Sequence, residues 1–226
     1  MYKKTIAKAL CILCLLSVTA CTQTEETTDD YLTRINGTYV ELFPEMSKAE
    51  YHDIWLEAVT PLVGEDNADM AVEKLIGHCT AEIYGVEATE AYAADPDSTR
   101  FDCYFLGGVS QFVIDDHTIK GLDENGDTVF SHTYALMDVE NENGFIFYQT
   151  TEADAGQFTY FAFSPDTMDT TYHLEFRYAE QLDDLESWFT GNYAYWNAAA
   201  IAADYTDQTM HDVIYLFAEE NLSPEG

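Results

Sequence analysis

The sequence predicts a mainly β domain, an antiparallel meander that closes into a barrel, with helices at its N- and C-terminal ends. Three observations predict it. Glycine-bearing turns recur at short intervals, at residues 123–127, 140–144 and 153–156, and short turns join antiparallel neighbours. The runs between those turns are dense in aromatic and β-branched residues, which suit a half-buried pleated surface. Before and after this stretch the apolar residues change to a spacing of three to four, the period of a helix packed on one face.

Taken in chain order, residues 1–20 read as a secretion signal. Lys3, Lys4 and Lys8 form a basic start, and 9–18 is an apolar run too short to span a bilayer comfortably. It ends in Val18-Thr19-Ala20-Cys21, the small-residue pattern of a bacterial lipobox. Cys21 is therefore expected to be the first mature residue and to carry the lipid anchor; ordinary cleavage without lipid is the alternative. Residues 21–34 are expected to form an acidic tether without apolar periodicity. The folded domain is expected to occupy 35–226.

Ser47-Lys48-Ala49-Glu50 has the capping-box pattern. It is expected to start a helix that turns Tyr51, Ile54, Trp55, Ala58 and Val59 inward and ends near Pro61. A second helix is expected over 67–84, with Met70, Leu75, Cys79 and Ile83 along one stripe and Gly85 as its stop. Strands follow at 101–114, with Gly107-Gly108 as a bend, then at 128–136, 145–150, 158–163 and 171–178. A meander of that length tends to close on itself, since closure removes its edges. After Arg177 the helical period returns, with Leu182, Leu185, Trp188 and Phe189 on one face. A last helix over 208–221 places Met210, Val213, Ile214 and Phe217 inward.

The charge balance excludes one partner class. The chain has 42 Asp+Glu against 9 Lys+Arg, a formal charge of −33. Nucleic acid is excluded, because so few cations cannot displace its counterions. An anionic membrane would likewise repel the domain, so contact with lipid is expected through the acyl anchor alone. Such a surface also gathers divalent cations without any specific site.

Of the five cysteines, Cys11 and Cys14 lie in the signal and Cys21 is the lipid candidate. Cys79 and Cys103 remain, a lone pair in an exported chain. A disulfide between them is one reading, two small buried thiols the other.

The densest motif spans residues 152–178. Gly156, Phe158, Tyr160, Phe163 and Ser164 fall along one strand-like run, followed after a short loop by Tyr172-His173-Leu174-Glu175-Phe176. This resembles the metal-binding segment of the ZinT family, the zinc-binding periplasmic proteins and the C-terminal domains of streptococcal zinc-uptake lipoproteins. In that family a Gly-x-Phe-Lys-Tyr-x-x-Phe-Ser-Asp-His strand is followed by His-x-His, and three histidines hold zinc. At those ligand positions this chain has Asp166, His173 and Glu175, across a loop two residues shorter. Residues 36–39 resemble the family's Trp-x-Gly-x-Tyr/Trp motif with Ile35 in place of tryptophan, and 185–193 resemble its Glu-Met-x-x-Trp-Pro-Thr-Tyr-Tyr segment without the proline. The resemblance covers about 35–221. It implies a calycin-like, lipocalin-like barrel that holds a divalent ion at Asp166, His173 and Glu175 and passes it to a metal-uptake transporter. The alternative is a calycin-like module that has lost its metal and binds a small organic ligand or a surface partner.

The residues support the same site on their own chemistry. On a strand, His173, Glu175 and Arg177 share one face, and Tyr172, Leu174, Phe176 and Tyr178 the other. Residues two apart sit roughly 6.6 Å apart along a strand, close enough for an imidazole and a carboxylate to lean onto one ion. Asp166 would be the third ligand, with Asp169 as its rival. Zinc is the first expectation by lineage, whereas two carboxylates shift preference towards manganese, calcium or iron(II). The metal-free reading of the same stripe is a salt bridge between Arg177 and Glu175. Asp115-Asp116-His117 reads as a solvated turn and 123–127 as a hairpin turn. His78 and His132 read as isolated, and His52-Asp53 and His211-Asp212 as surface pairs. No nucleophile motif, P-loop or His-Glu-x-x-His is present, so binding rather than catalysis is expected.

Overall fold

The computed structural model describes residues 30–79, 94, 104–141, 144–165, 168–187 and 198–223. Nine strands are found among them: β1 (Gly37–Glu41), β2 (Gln111–Asp115), β3 (Thr118–Leu122), β4 (Thr128–Thr133), β5 (Ala135–Leu136), β6 (Ile146–Gln149), β7 (Tyr160–Phe163), β8 (Leu174–Ala179) and β9 (Ala198–Ala202). They form one sheet in the order β4-β3-β2-β1-β9-β8-β7-β6-β5, with every paired neighbour antiparallel. The two edge strands, β4 and β5, are separated in sequence by Tyr134 alone. The sheet therefore curls until its edges meet, which gives a nearly closed, calycin-like barrel. The run expected as a single strand over 128–136 is split at Tyr134 for this reason: one half ends one edge and the other half begins the opposite edge.

Helices α1 (Tyr31–Arg34), α2 (Leu42–Met46), α3 (His52–Val63), α4 (Glu65–His78), α5 (Met168–Thr171), α6 (Leu182–Ser187) and α7 (Asp207–Leu222) complete the described residues. None is long and apolar enough to cross a membrane. The α1 segment lies within the stretch expected to be a tether, yet Asp30 caps it and Tyr31 and Leu32 are buried in the barrel core. Ser47 does not act as a capping-box residue. It ends α2, its hydroxyl is buried without a hydrogen bond, and α3 starts five residues later after a turn of 3-10 helix. Pro61 lies inside α3, which continues to Val63 before Gly64. Met70 is 65% exposed; the buried stripe of α4 is Ala68, Val72, Leu75 and Cys79.

Two apolar cores follow from strand alternation. Inward residues fill the barrel with rings, among them Phe112, Phe161, Phe163, Phe176 and Tyr178. Outward residues of β9, Ala199 and Ile201, pack beneath α2, α3, α4 and α7 with Trp55, Leu75, Met210, Val213 and Ile214. A smaller outer cluster of Phe147, Ala162 and Leu185 sits under α6. On β3, Gly121 is held to glycine by packing, because any side chain there would run into the Phe130 ring.

Candidate metal centre

The expected site begins where β7 ends, at Ser164. Asp166 lies outside the described residues, as do Cys21 and Cys103; Cys79 is buried at the end of α4. The chain resumes in α5 and reaches Tyr172, whose φ of +64° is left-handed. That backbone conformation interrupts the alternation. Tyr172 packs against the outer helical core, whereas Leu174, Phe176 and Tyr178 enter the barrel. The expectation that Tyr172 shares their face is therefore corrected.

His173 and Glu175 converge. His173 Nδ1 lies 2.6 Å from the Thr171 carbonyl oxygen, and Nε2 lies 3.3 Å from Glu175 Oε1. A carbonyl only accepts, so Nδ1 carries a proton and Nε2 is left facing the carboxylate. This is the orientation of a metal-ligating imidazole, one ring nitrogen anchored to backbone and the other free for an ion. The His173 side chain is 13% exposed and that of Glu175 39%. Burial pushes the His173 pKa down, but the Glu175 hydrogen bond and charge, the Thr171 carbonyl and the charge of Glu220 together raise it above 6.5. Glu175 alternates with the inward-facing Leu174 and Phe176 and so points to the outer side of the sheet, and the charge of Glu220 on α7 acts on His173. Glu220 is an acidic neighbour that strand spacing does not reveal.

The other expected partners are placed differently. Arg177 is fully buried and donates from Nη1 to the Tyr104 carbonyl at 2.9 Å. Asp169 is exposed on α5, and among the described residues it does not join His173 and Glu175 in a three-ligand group. His211 and Asp212 meet at 3.1 Å on α7, and His117 on the β2–β3 turn lies 3.4 Å from Asp30.

A second constellation escaped sequence reasoning, which took His132 as isolated. His132 on β4 lies 2.8 Å through Nδ1 from Glu152 Oε2, and Glu152 Oε1 accepts the Thr133 backbone N–H at 3.0 Å. That N–H and then the His132 ring hold the Glu152 carboxyl below its ordinary range. Ligand atoms of His132, Glu152 and Asp154 all lie within 4.8 Å of one another. Gly156, at φ +52°, turns the Glu152 loop back towards β7. The signal available in the sequence was Glu152-x-Asp154 just before that glycine.

No family model and no curated protein matches the sequence. Among solved structures the chain is similar to Zn(II)-bound AdcA from Streptococcus pneumoniae, at a TM-score of 0.49 and 13% identity, over 83% of this chain and 35% of that one. It is also similar to the Zn(II)-bound ZinT-like domain of Streptococcus pneumoniae AdcA, again at 0.49 and 13%, over 84% of this chain and 91% of that one. The chain thus spans about a third of the length of the whole AdcA chain it matches.

Proposed function

We propose that this chain binds a divalent metal ion through His173 and Glu175, with Asp166 as third ligand, and that it is an exported protein anchored by a lipid on Cys21. In this reading it captures or buffers the ion outside the membrane and delivers it to an uptake system, without catalysing a reaction. The observation that carries the metal assignment is the convergence of His173 Nε2 on Glu175 Oε1 while Nδ1 is anchored to the Thr171 carbonyl. The ZinT-like motif around Gly156, Phe158, Tyr160, Phe163 and Ser164 makes zinc the first ion to test. Manganese is the second, given the carboxylates.

The alternative of a small organic ligand inside the barrel has less support. The interior is occupied by its own rings: Phe112 alone has five ring neighbours with centroids between 4.7 and 6.1 Å away.

Calorimetric titration of the full chain with Zn²⁺ tests the metal assignment. His173→Ala is expected to remove one saturable equivalent, and Glu175→Gln and Asp166→Ala to weaken that same equivalent. Loss of a ligand should exceed the roughly 10–100-fold typical of losing a supporting hydrogen bond. An isotherm unchanged by His173→Ala sinks the reading. The anchor is checked separately by metabolic labelling with a fatty acid, expected to vanish in Cys21→Ala; label retained in that variant removes Cys21 as the attachment point.

A further inference from the structure

We propose that His132, Glu152 and Asp154 form a second divalent-cation site, independent of the first, at the β4 edge of the barrel sheet. Strand β4 supplies the imidazole, and the loop after β6 supplies both carboxylates. The arrangement has the parts a metal needs. The His132 side chain is 8% exposed and its ring stacks on Phe130, with centroids 5.7 Å apart. Phe130 in turn stacks on Phe158 at 3.9 Å, so the imidazole is held in place by packing on its apolar side. Glu152 is aimed by the Thr133 N–H on one oxygen, which leaves the other facing Nδ1.

The His132 ring, both acidic residues, Phe130, Gln157 and Phe158 line an open cavity of about 410 Å³. It has room for the water molecules that would complete a coordination shell. The His132 ring is more than nine-tenths buried, and its Nδ1 is presented to Glu152 at the wall of this cavity.

An ion would take the place of the proton between Nδ1 and Oε2. The 2.8 Å separation of those atoms needs to open by only a few tenths of an ångström for both to ligate at about 2 Å. Charge balances as follows. The ion forms bonds to Nδ1, to Oε2 and to an Asp154 oxygen, the Nδ1–H bond breaks, and the ring proton remains on Nε2. If the ring starts as imidazolium, one proton leaves to solvent. If it starts neutral with hydrogen on Nδ1, that proton moves to Nε2 by way of water. One nitrogen and two carboxylate oxygens suit a first-row divalent cation such as Zn²⁺ or Mn²⁺. The site differs from the diffuse attraction of a surface with formal charge −33, because it has a fixed imidazole and a defined stoichiometry.

The test uses the full chain carrying His173→Ala, titrated with Zn²⁺ by calorimetry at 0.3 M NaCl so that diffuse binding is screened. One saturable equivalent is expected to remain. Asp154→Asn and Glu152→Gln, both on exposed residues, are each expected to weaken it at least about tenfold while leaving the thermal transition in place. In the chain with His173 intact, the same two substitutions should spare the His173-dependent equivalent, so the two sites fail or succeed separately. The proposal is overturned if the His173→Ala chain shows no saturable zinc, or if what remains is indifferent to both Asp154→Asn and Glu152→Gln.

Discussion

Phe112→Ala is expected to lower the stability of the folded chain by about 3–5 kcal/mol, the range for deleting a buried aromatic side chain. Phe112 is 1% exposed and lies on β2, in the middle of the interior core. Four of its ring contacts, with Phe105, Phe161, Phe176 and Phe130, are steeply inclined or edge-on, and Tyr178 is a fifth. Each such pair contributes about 0.5–1.5 kcal/mol beyond area burial, and no single neighbour can move into the space without abandoning its other partners. The loss should appear as a shift of the urea midpoint at nearly constant slope. Met70→Ala is the internal reference: with the methionine 65% exposed on α4, the change should stay within about 0.5 kcal/mol. A loss under about 1 kcal/mol for Phe112→Ala would mean the barrel is not filled by its own rings. The case against an organic ligand inside it would then collapse.

The same alternation explains what the sequence disclosed and what it hid. Strands β2, β4, β6, β7 and β8 fall within runs dense in aromatic or β-branched residues, so their pattern was readable, whereas β3, directly after the Asp115-Asp116-His117 turn, was not among the expected strands. Asp123 illustrates the turn chemistry: its carboxylate accepts the backbone N–H groups of Asn125 and Asp127. Strand β9 was not readable. Its sequence is Ala-Ala-Ala-Ile-Ala, and alanine has weak strand preference. The residues are small because crowding comes from both sides. Ala198 and Ala200 face the ring-filled interior, and Ala199 lies beneath the helices. Tertiary packing, not local preference, places that strand between β1 and β8.

The candidate centre divides in the same way. The spacing of His173 and Glu175 was local, with the histidine just before β8 and the glutamate at its second residue, and their convergence was within reach of the sequence. The His132 constellation is non-local, because β4 and the Glu152 loop are joined only by the barrel's closure. Period and spacing along one segment carry no information about such a meeting. Ser47 shows the converse failure. Its motif was correct for a helix start, but α2 already occupied that position, so the serine finished one helix instead of opening another.

Zinc affinity at the His173 centre is expected to fall steeply as the solution is acidified, while the metal-free protein responds in the opposite direction. In the metal-free chain burial disfavours the charged His173, yet Glu175, the Thr171 carbonyl and Glu220 outweigh it and the pKa rises above 6.5. A raised folded-state pKa means the imidazolium stabilises the fold fully below about 6.5, and that this contribution disappears as pH climbs through the folded value. The ion needs the same Nε2 without its proton, so each unit of pH below the raised value should cost about tenfold in affinity. Glu175 therefore has two partners in competition, a proton on His173 and a cation. Thermal melts with Zn²⁺ held at about 100 times its dissociation constant at pH 8 should show close to 2.7 kcal/mol of added stability there. That gain should shrink towards zero at pH 5. His173→Ala should lose the zinc gain from this centre at pH 8 and also the acid-side stabilisation of the metal-free chain. Those two losses have opposite pH signs, and no simple unfolding defect produces both. Zinc stabilisation that stays level from pH 5 to pH 8 would remove the imidazole from the ligand set.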